Sequence, residues 1–186
     1  MSNAQSTESI KAEAILGAGC FWCVEAVFEE LKGVEHVESG YMGGHIDNPT
    51  YQQVSTGQSG HAEVAKIVYN PAIISFKEIL EVFWKTHDPT TLNQQGADRG
   101  TQYRSAVFFL TTEQKELAEI YKIRLDESGA YSDPIITEIT KASTYYPAEK
   151  YHQDYYALNS NQGYCQYVIQ PKLEKFRKAF ADKLKD

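Results

Sequence analysis

The run "AEAILGAGCFWCVEAVFEEL", residues 12–31, changes its hydrophobic period halfway along, and this constrains the chain more than any other feature. Residues 12–16 form an apolar strand segment, and Gly17 and Gly19 permit a sharp turn. Val24, Val27, Phe28 and Leu31 then recur at i, i+3, i+4 and i+7, the face of a helix that Gly33 stops. A strand that turns directly into an amphipathic helix needs a sheet for that helix to cover. The rest of the chain supplies one. Strands are expected at 34–39, at "AEVAKIVY" (62–69), at "TQYRSAVFFL" (101–110) and at "PIITEIT" (134–140). Ser75 and Glu78 have capping-box spacing ahead of Phe76, Ile79, Leu80 and Phe83, and a further helix is expected at about 113–127 before Gly129. The order β-α-β-β-α-β with appended elements predicts an α/β (α+β) fold. We expect a two-layer sandwich with a split βαβ (ferredoxin-like) core, a mixed or antiparallel sheet and a long irregular C-terminal segment.

Two polar loops interrupt the pattern, "SGYMGGHIDNPTYQQVSTGQSGH" (39–61) and "HDPTTLNQQGADRG" (87–100). Loops this long inside a compact domain are functional or disordered. The 186 residues suit one core. We expect a flexible lead at 1–10 and a single catalytic domain at 11–186, whose C-terminal segment is 143–186. Three cysteines cannot staple a domain of this size, and their odd number favours reduced thiols in a reducing compartment. "MSNAQSTESIK" offers no apolar signal core, so the cytoplasm is the expected location. The formal charge of -7 argues against affinity for nucleic acid, and no run approaches the ~20 apolar residues that span a bilayer. The basic stretch "PKLEKFRKAFADKLKD" reads as a helix with Leu173, Phe176, Phe180 and Leu184 inward and its lysines solvated. A monomer is expected.

Chemistry concentrates where the first helix begins. Cys20 at a helix N-terminus would sit among unpaired amides at the positive end of the helix dipole, which stabilise an anion such as a thiolate. Cys23 lies one turn on. A lone cysteine is more often a small buried hydrophobe, but the glycines flanking Ala18 favour a used thiol here. Phe21 and Trp22 either anchor the helix to the sheet or wall an apolar pocket suited to a methyl or thioether group. Strand alternation puts Glu63 on one face with Ala65, Ile67 and Tyr69, at the end of an apolar stripe. Desolvation there would keep the carboxyl protonated near pH 7, as a general acid must be; the plain alternative is an exposed strand end.

"GCFWCVE", "GYMGG", "NPTYQQV", "GHAEV", "HDPTTLNQQGADRGTQYRSAVF" and "NQGYC", in this order, resemble peptide methionine sulfoxide reductase of the A class. The resemblance runs from about residue 12 to residue 168. It implies that Cys20 attacks the sulfoxide sulfur, that Phe21 and Trp22 hold the substrate methyl group, and that Glu63 protonates the sulfoxide oxygen. It further implies that Tyr51 and Tyr103 hydrogen-bond that oxygen and that Asp98 holds the substrate backbone amide. With thirteen tyrosines in the chain, the structural alternative for those two is a serious one. His152, in "YHQDYY", is expected as a hydrogen-bonding residue of the site wall or the core and is grouped with the substrate-binding residues.

The same resemblance implies a sulfenic acid on Cys20, condensation with a second thiol, and reset by a thioredoxin-type reductant, with no metal or organic cofactor. Substrates would be oxidised proteins or free methionine sulfoxide. The second thiol of the family commonly lies in a mobile C-terminal segment, which here points to Cys165. Cys23, where many members have glycine, is the alternative. Cys165 is preferred because two thiols on one regular helix can be held too far apart or poorly aimed for an unstrained bridge. Two rival readings stay open. One is a general thiol-disulfide oxidoreductase using Cys20 and Cys23; the other is a structural zinc site built from Cys20, Cys23, Cys165 and His152.

Overall fold

The computed structural model describes residues 10–185. The expected lead therefore lies outside the described residues except for Ile10, which is exposed. In chain order the strands and α-helices are β1 (Ala12–Ala18), α1 (Phe21–Glu29), β2 (Val34–Met42), α2 (Tyr51–Ser55), β3 (Ala62–Tyr69), α3 (Phe76–Thr86), β4 (Gln94–Gln95), β5 (Asp98–Arg99), β6 (Ser105–Phe109), α4 (Thr112–Glu127), β7 (Glu138–Lys141), β8 (Tyr146–Pro147), α5 (Tyr155–Asn159) and α6 (Gln170–Ala179). Six strands form one sheet in the order β7-β6-β1-β3-β2-β8, while β4 and β5 form a separate small hairpin. The inner four, β6-β1-β3-β2, are antiparallel throughout. With α1 and α3 they make the split βαβ core that the sequence pattern implies. Beyond α4, β7 joins β6 in parallel, and β8 pairs antiparallel with β2 at the opposite edge.

Strand alternation sorts the core. Ala14 and Leu16 of β1, Ala65 and Ile67 of β3 and Val107 of β6 share one cluster with Val24 and Phe28 of α1 and Ile79 and Phe83 of α3. Ile15, Val64, Ala106 and Phe108 point the other way into a smaller cluster with Met42, Ala62, Ala142 and Tyr145. Glu63 shares the parity of Ala65, so its side chain faces the helix layer, at the start of α1.

Several boundaries differ from the sequence pattern for local reasons. β2 runs on to Met42 through Gly40, paired with β3 along this stretch, and the Tyr145 ring 2.5 Å from where a Cβ would be leaves room for nothing larger than glycine. The loop that follows contains α2, closed by a reciprocal Thr50–Gln53 capping box. Residues Thr101–Tyr103 form a 3₁₀ turn, so that strand starts only at Ser105. Residues 134–137 stay outside the sheet ladder, where the Ile136 amide donates to the Pro89 carbonyl and the Thr137 hydroxyl pairs with Ser105. Cys165–Ile169 form a π-helical turn leading into α6, which buries Leu173 and Phe176, with Phe180 just past its end; Leu184 is half-buried and bridges to Leu31.

Candidate active site

The end of β1 delivers the site. Gly19 takes φ +89, and a Cβ there would lie 2.6 Å from Gln95 Cγ, so only glycine turns the chain this tightly against the second loop. Cys20 is the N-cap of α1, with non-helical φ -56 and ψ 123, and Cys23 occupies the first turn. Most of the expected thiolate-stabilising amides have other partners. Phe21 N–H donates to Glu63 Oε2 at 3.0 Å, and the Cys23 and Val24 amides donate to the Cys20 carbonyl. The thiol is 9% exposed, and its pKa is pushed well above the usual value, chiefly by burial and then by its hydrogen bond with Cys23 and the charge of Glu63. This corrects the expectation of a depressed Cys20. The depressed thiol of the pair is Cys23, brought to about 7 mainly by the hydrogen bond from Cys20, with Lys172 assisting.

Cys20, Phe21, Trp22, Tyr51, Glu63, Asp98, Tyr103 and Tyr164 line one pocket of about 180 Å³. The nucleophile candidate, both aromatics, the acid, both tyrosines and Asp98 thus converge from β1, α1, α2, β3, β5 and the Thr101–Tyr103 turn. Glu63 is 2% exposed, and burial raises its carboxyl to about 8 against the lowering effect of the Phe21 amide. It is therefore protonated at neutral pH. Its Oε2 is engaged by Phe21, which leaves the other oxygen to serve a ligand. Burial also raises Tyr51 and Tyr103, so both keep their hydroxyl protons and can donate.

His152 lies in the wall of the site. It is buried, accepts the Trp22 indole N–H on Nδ1 at 3.1 Å, and packs its ring 4.4 Å from that of Tyr51. No group of three or more His, Cys, Asp or Glu among the described residues is placed to hold a metal ion. Cys165 is 0% exposed, inside the π-helical turn, and burial raises its pKa. Instead of lying in a loop, as its Gly/Asn-rich setting suggests, the thiol lies in a π-helical turn that continues through Ile169, Leu173 and Phe176 into the core.

Two tyrosines had no sequence signal of their own. Tyr164 donates to Asp98 Oδ2 at 2.7 Å and lies 3.9 Å from the Cys23 sulfur, so it joins the acid to the thiols. Tyr155 stacks on Trp22 with ring centroids 3.6 Å apart and planes 6° from parallel. Both lie within stretches that the sequence marks, "NQGYC" and "YHQDYY", but nothing there distinguishes these two among thirteen tyrosines.

Residues 12–184 match the family described as peptide methionine sulfoxide reductase. The chain is 53% identical over 174 residues to the Peptide methionine sulfoxide reductase MsrA of Chromobacterium violaceum, covering 94% of this chain and 99% of that protein. It is 50% identical over 186 residues to the MsrA of Deinococcus radiodurans, with 99% and 90% covered. In three dimensions it resembles methionine sulfoxide reductase A of Corynebacterium diphtheriae, with a TM-score of 0.74 at 34% identity over 87% of this chain and 80% of that one.

Proposed function

Because the chain belongs to the peptide methionine sulfoxide reductase family, we propose that it reduces the S epimer of methionine sulfoxide, peptide-bound or free, to methionine by thiol chemistry at Cys20. The observation that carries this reading is the pocket itself, where a thiol, a protonated carboxyl and two aromatic rings face one another. Phe21 and Trp22 hold the methyl group. Glu63 gives its proton to the sulfoxide oxygen, with Tyr51 and Tyr103 donating to the same atom, while Asp98 receives the substrate amide. The Cys20 sulfur attacks the substrate sulfur as its own proton passes to the neighbouring Cys23, the more acidic thiol of the pair. Two electrons move from Cys20 to the substrate, the S–O bond breaks, and methionine leaves a sulfenic acid on Cys20.

Cys23 then attacks the Cys20 sulfur. A disulfide forms, and the hydroxyl departs with the Cys23 proton as water. We favour Cys23 over Cys165 for this step, because the objection to Cys23 assumed both thiols on one regular helix. Cys20 instead sits at the non-helical cap with Cys23 following in the first turn of the helix, whereas Cys165 is fully buried within the π-helical turn. A thioredoxin-type dithiol would return the two electrons and two protons. Residues 11–186 act as a single catalytic domain in this reading. No helix among the described residues is long and apolar enough to cross a membrane. Three free cysteines and a dithiol reductant fit the cytoplasm.

The test is turnover of the separate S and R sulfoxides of a blocked methionine with dithiothreitol. Reduction of S alone, lost in Cys20→Ser, is expected. Reduction of neither by folded protein with free thiols would overturn the reading.

A further inference from the structure

We propose that Glu149 is a positioning residue for this site: without touching substrate, its carboxylate sets the placement of Tyr51 and the tautomer of His152. The inference rests on the sulfoxide-reductase reading above. Glu149 follows β8 and opens the Lys150–His152 turn. Its Oε1 accepts the Tyr51 amide at 2.7 Å, and its Oε2 accepts the Tyr41 hydroxyl at 2.8 Å. The Tyr51 amide is the first of α2, a donor that no helical carbonyl can satisfy. The carboxylate therefore ties the backbone of a substrate-facing tyrosine to the segment carrying His152.

The tautomer follows from donor chemistry. An indole N–H only donates, so His152 Nδ1, which receives it from Trp22, is the bare nitrogen. Burial lowers the pKa of His152, so the neutral ring carries its proton on Nε2. That nitrogen is buried without a hydrogen-bond partner among the described residues, and Glu149 Oε2 faces it at 3.9 Å. The carboxylate favours a proton there. Without that charge, the proton could move to Nδ1 and oppose the Trp22 N–H, donor against donor. Trp22 would then lose the bond that fixes its tilt in the methyl pocket.

Glu149→Gln preserves shape and removes charge. In S-sulfoxide turnover, kcat is expected to fall on the order of 10- to 100-fold with KM changed less, because Tyr51 serves an oxygen whose charge develops during reaction. In the same sample, ¹⁵N resonances of His152, assigned against His152→Gln, should show Nε2–H in the wild type and a shift toward Nδ1–H in Glu149→Gln. Rates within about twofold of wild type, a lost rate with an unchanged tautomer, or a wild-type ring protonated on Nδ1 would each overturn the proposal. Should Glu149→Gln fail to fold, Glu149→Asp decides: it should keep Nε2–H with an intermediate kcat, and a wild-type kcat would overturn the proposal. Wild-type protein that reduces neither epimer would sink the function reading alone, since the tautomers remain readable.

Discussion

At the scale of single residues, the charge states of three side chains govern the chemistry. Glu63 holds its proton to about pH 8, Cys20 holds its own, and Cys23 gives one up near 7. Turnover should therefore decline as pH rises through about 8 and the acid is lost. Glu63→Gln should lower kcat by roughly 10²- to 10⁴-fold and abolish that decline, measured as kcat against pH. The same residue carries a stability signature. Its pKa is raised from 4.5, so the stabilisation it contributes is full below 4.5 and is lost as pH climbs to about 8. Denaturant unfolding should show Glu63→Gln gaining on wild type across that window, by up to about 1.4 kcal/mol per pH unit. Strand parity left the burial of Glu63 open against an exposed strand end, but the face it occupies was legible. The state of Cys20 was not, because pattern fixes where a helix starts but not which acceptor takes its free amides.

At the scale of elements, the turn between β1 and α1 matters most, since it lifts Cys20 off the helix while keeping Cys23 within reach. Gly19→Ala forces a side chain into φ +89 and into Gln95. We expect a loss of more than about 1 kcal/mol in chemical denaturation, with slower disulfide closure. Ser75→Ala should cost about 1 kcal/mol, by removing the cap of α3, and leave kcat unchanged. The period switch and the capping box made α1 and α3 readable from sequence. Gly40 concealed the end of β2, because a glycine inside a strand reads as a turn when its cause, a tyrosine ring over a hundred residues away, is out of view. The C-terminal segment was read only in part. Leu173, Phe176 and Phe180 announced a helix, but the π-helical turn that buries Cys165 ahead of Pro171 has no periodic signal.

At the scale of the whole molecule, titration opposes itself. Burial raises Glu25 and Glu29 to about 7, so their stabilisation, like that of Glu63, is lost as pH rises from 4.5. Buried His87 is lowered to about 4, so its stabilisation is lost as pH falls through that value from 6.5. Burial lowers His152 in the same direction, so three acids stand against two histidines, and a formal charge of -7 adds repulsion as the remaining carboxyls ionise. The urea midpoint is therefore expected to be higher near pH 5 than at pH 8; a higher midpoint at pH 8 would refute this balance. The central claim, that Cys20 takes the sulfoxide oxygen and Cys23 resolves it, is tested most directly in one turnover. Reduced protein is mixed with excess S-sulfoxide of a blocked methionine without reductant, quenched, and its methionine yield and disulfide connectivity are determined by mass mapping. One methionine per chain and a Cys20–Cys23 bridge, unchanged in Cys165→Ser, is the predicted result. A bridge from Cys20 to Cys165, or no methionine from folded reduced protein, would contradict it.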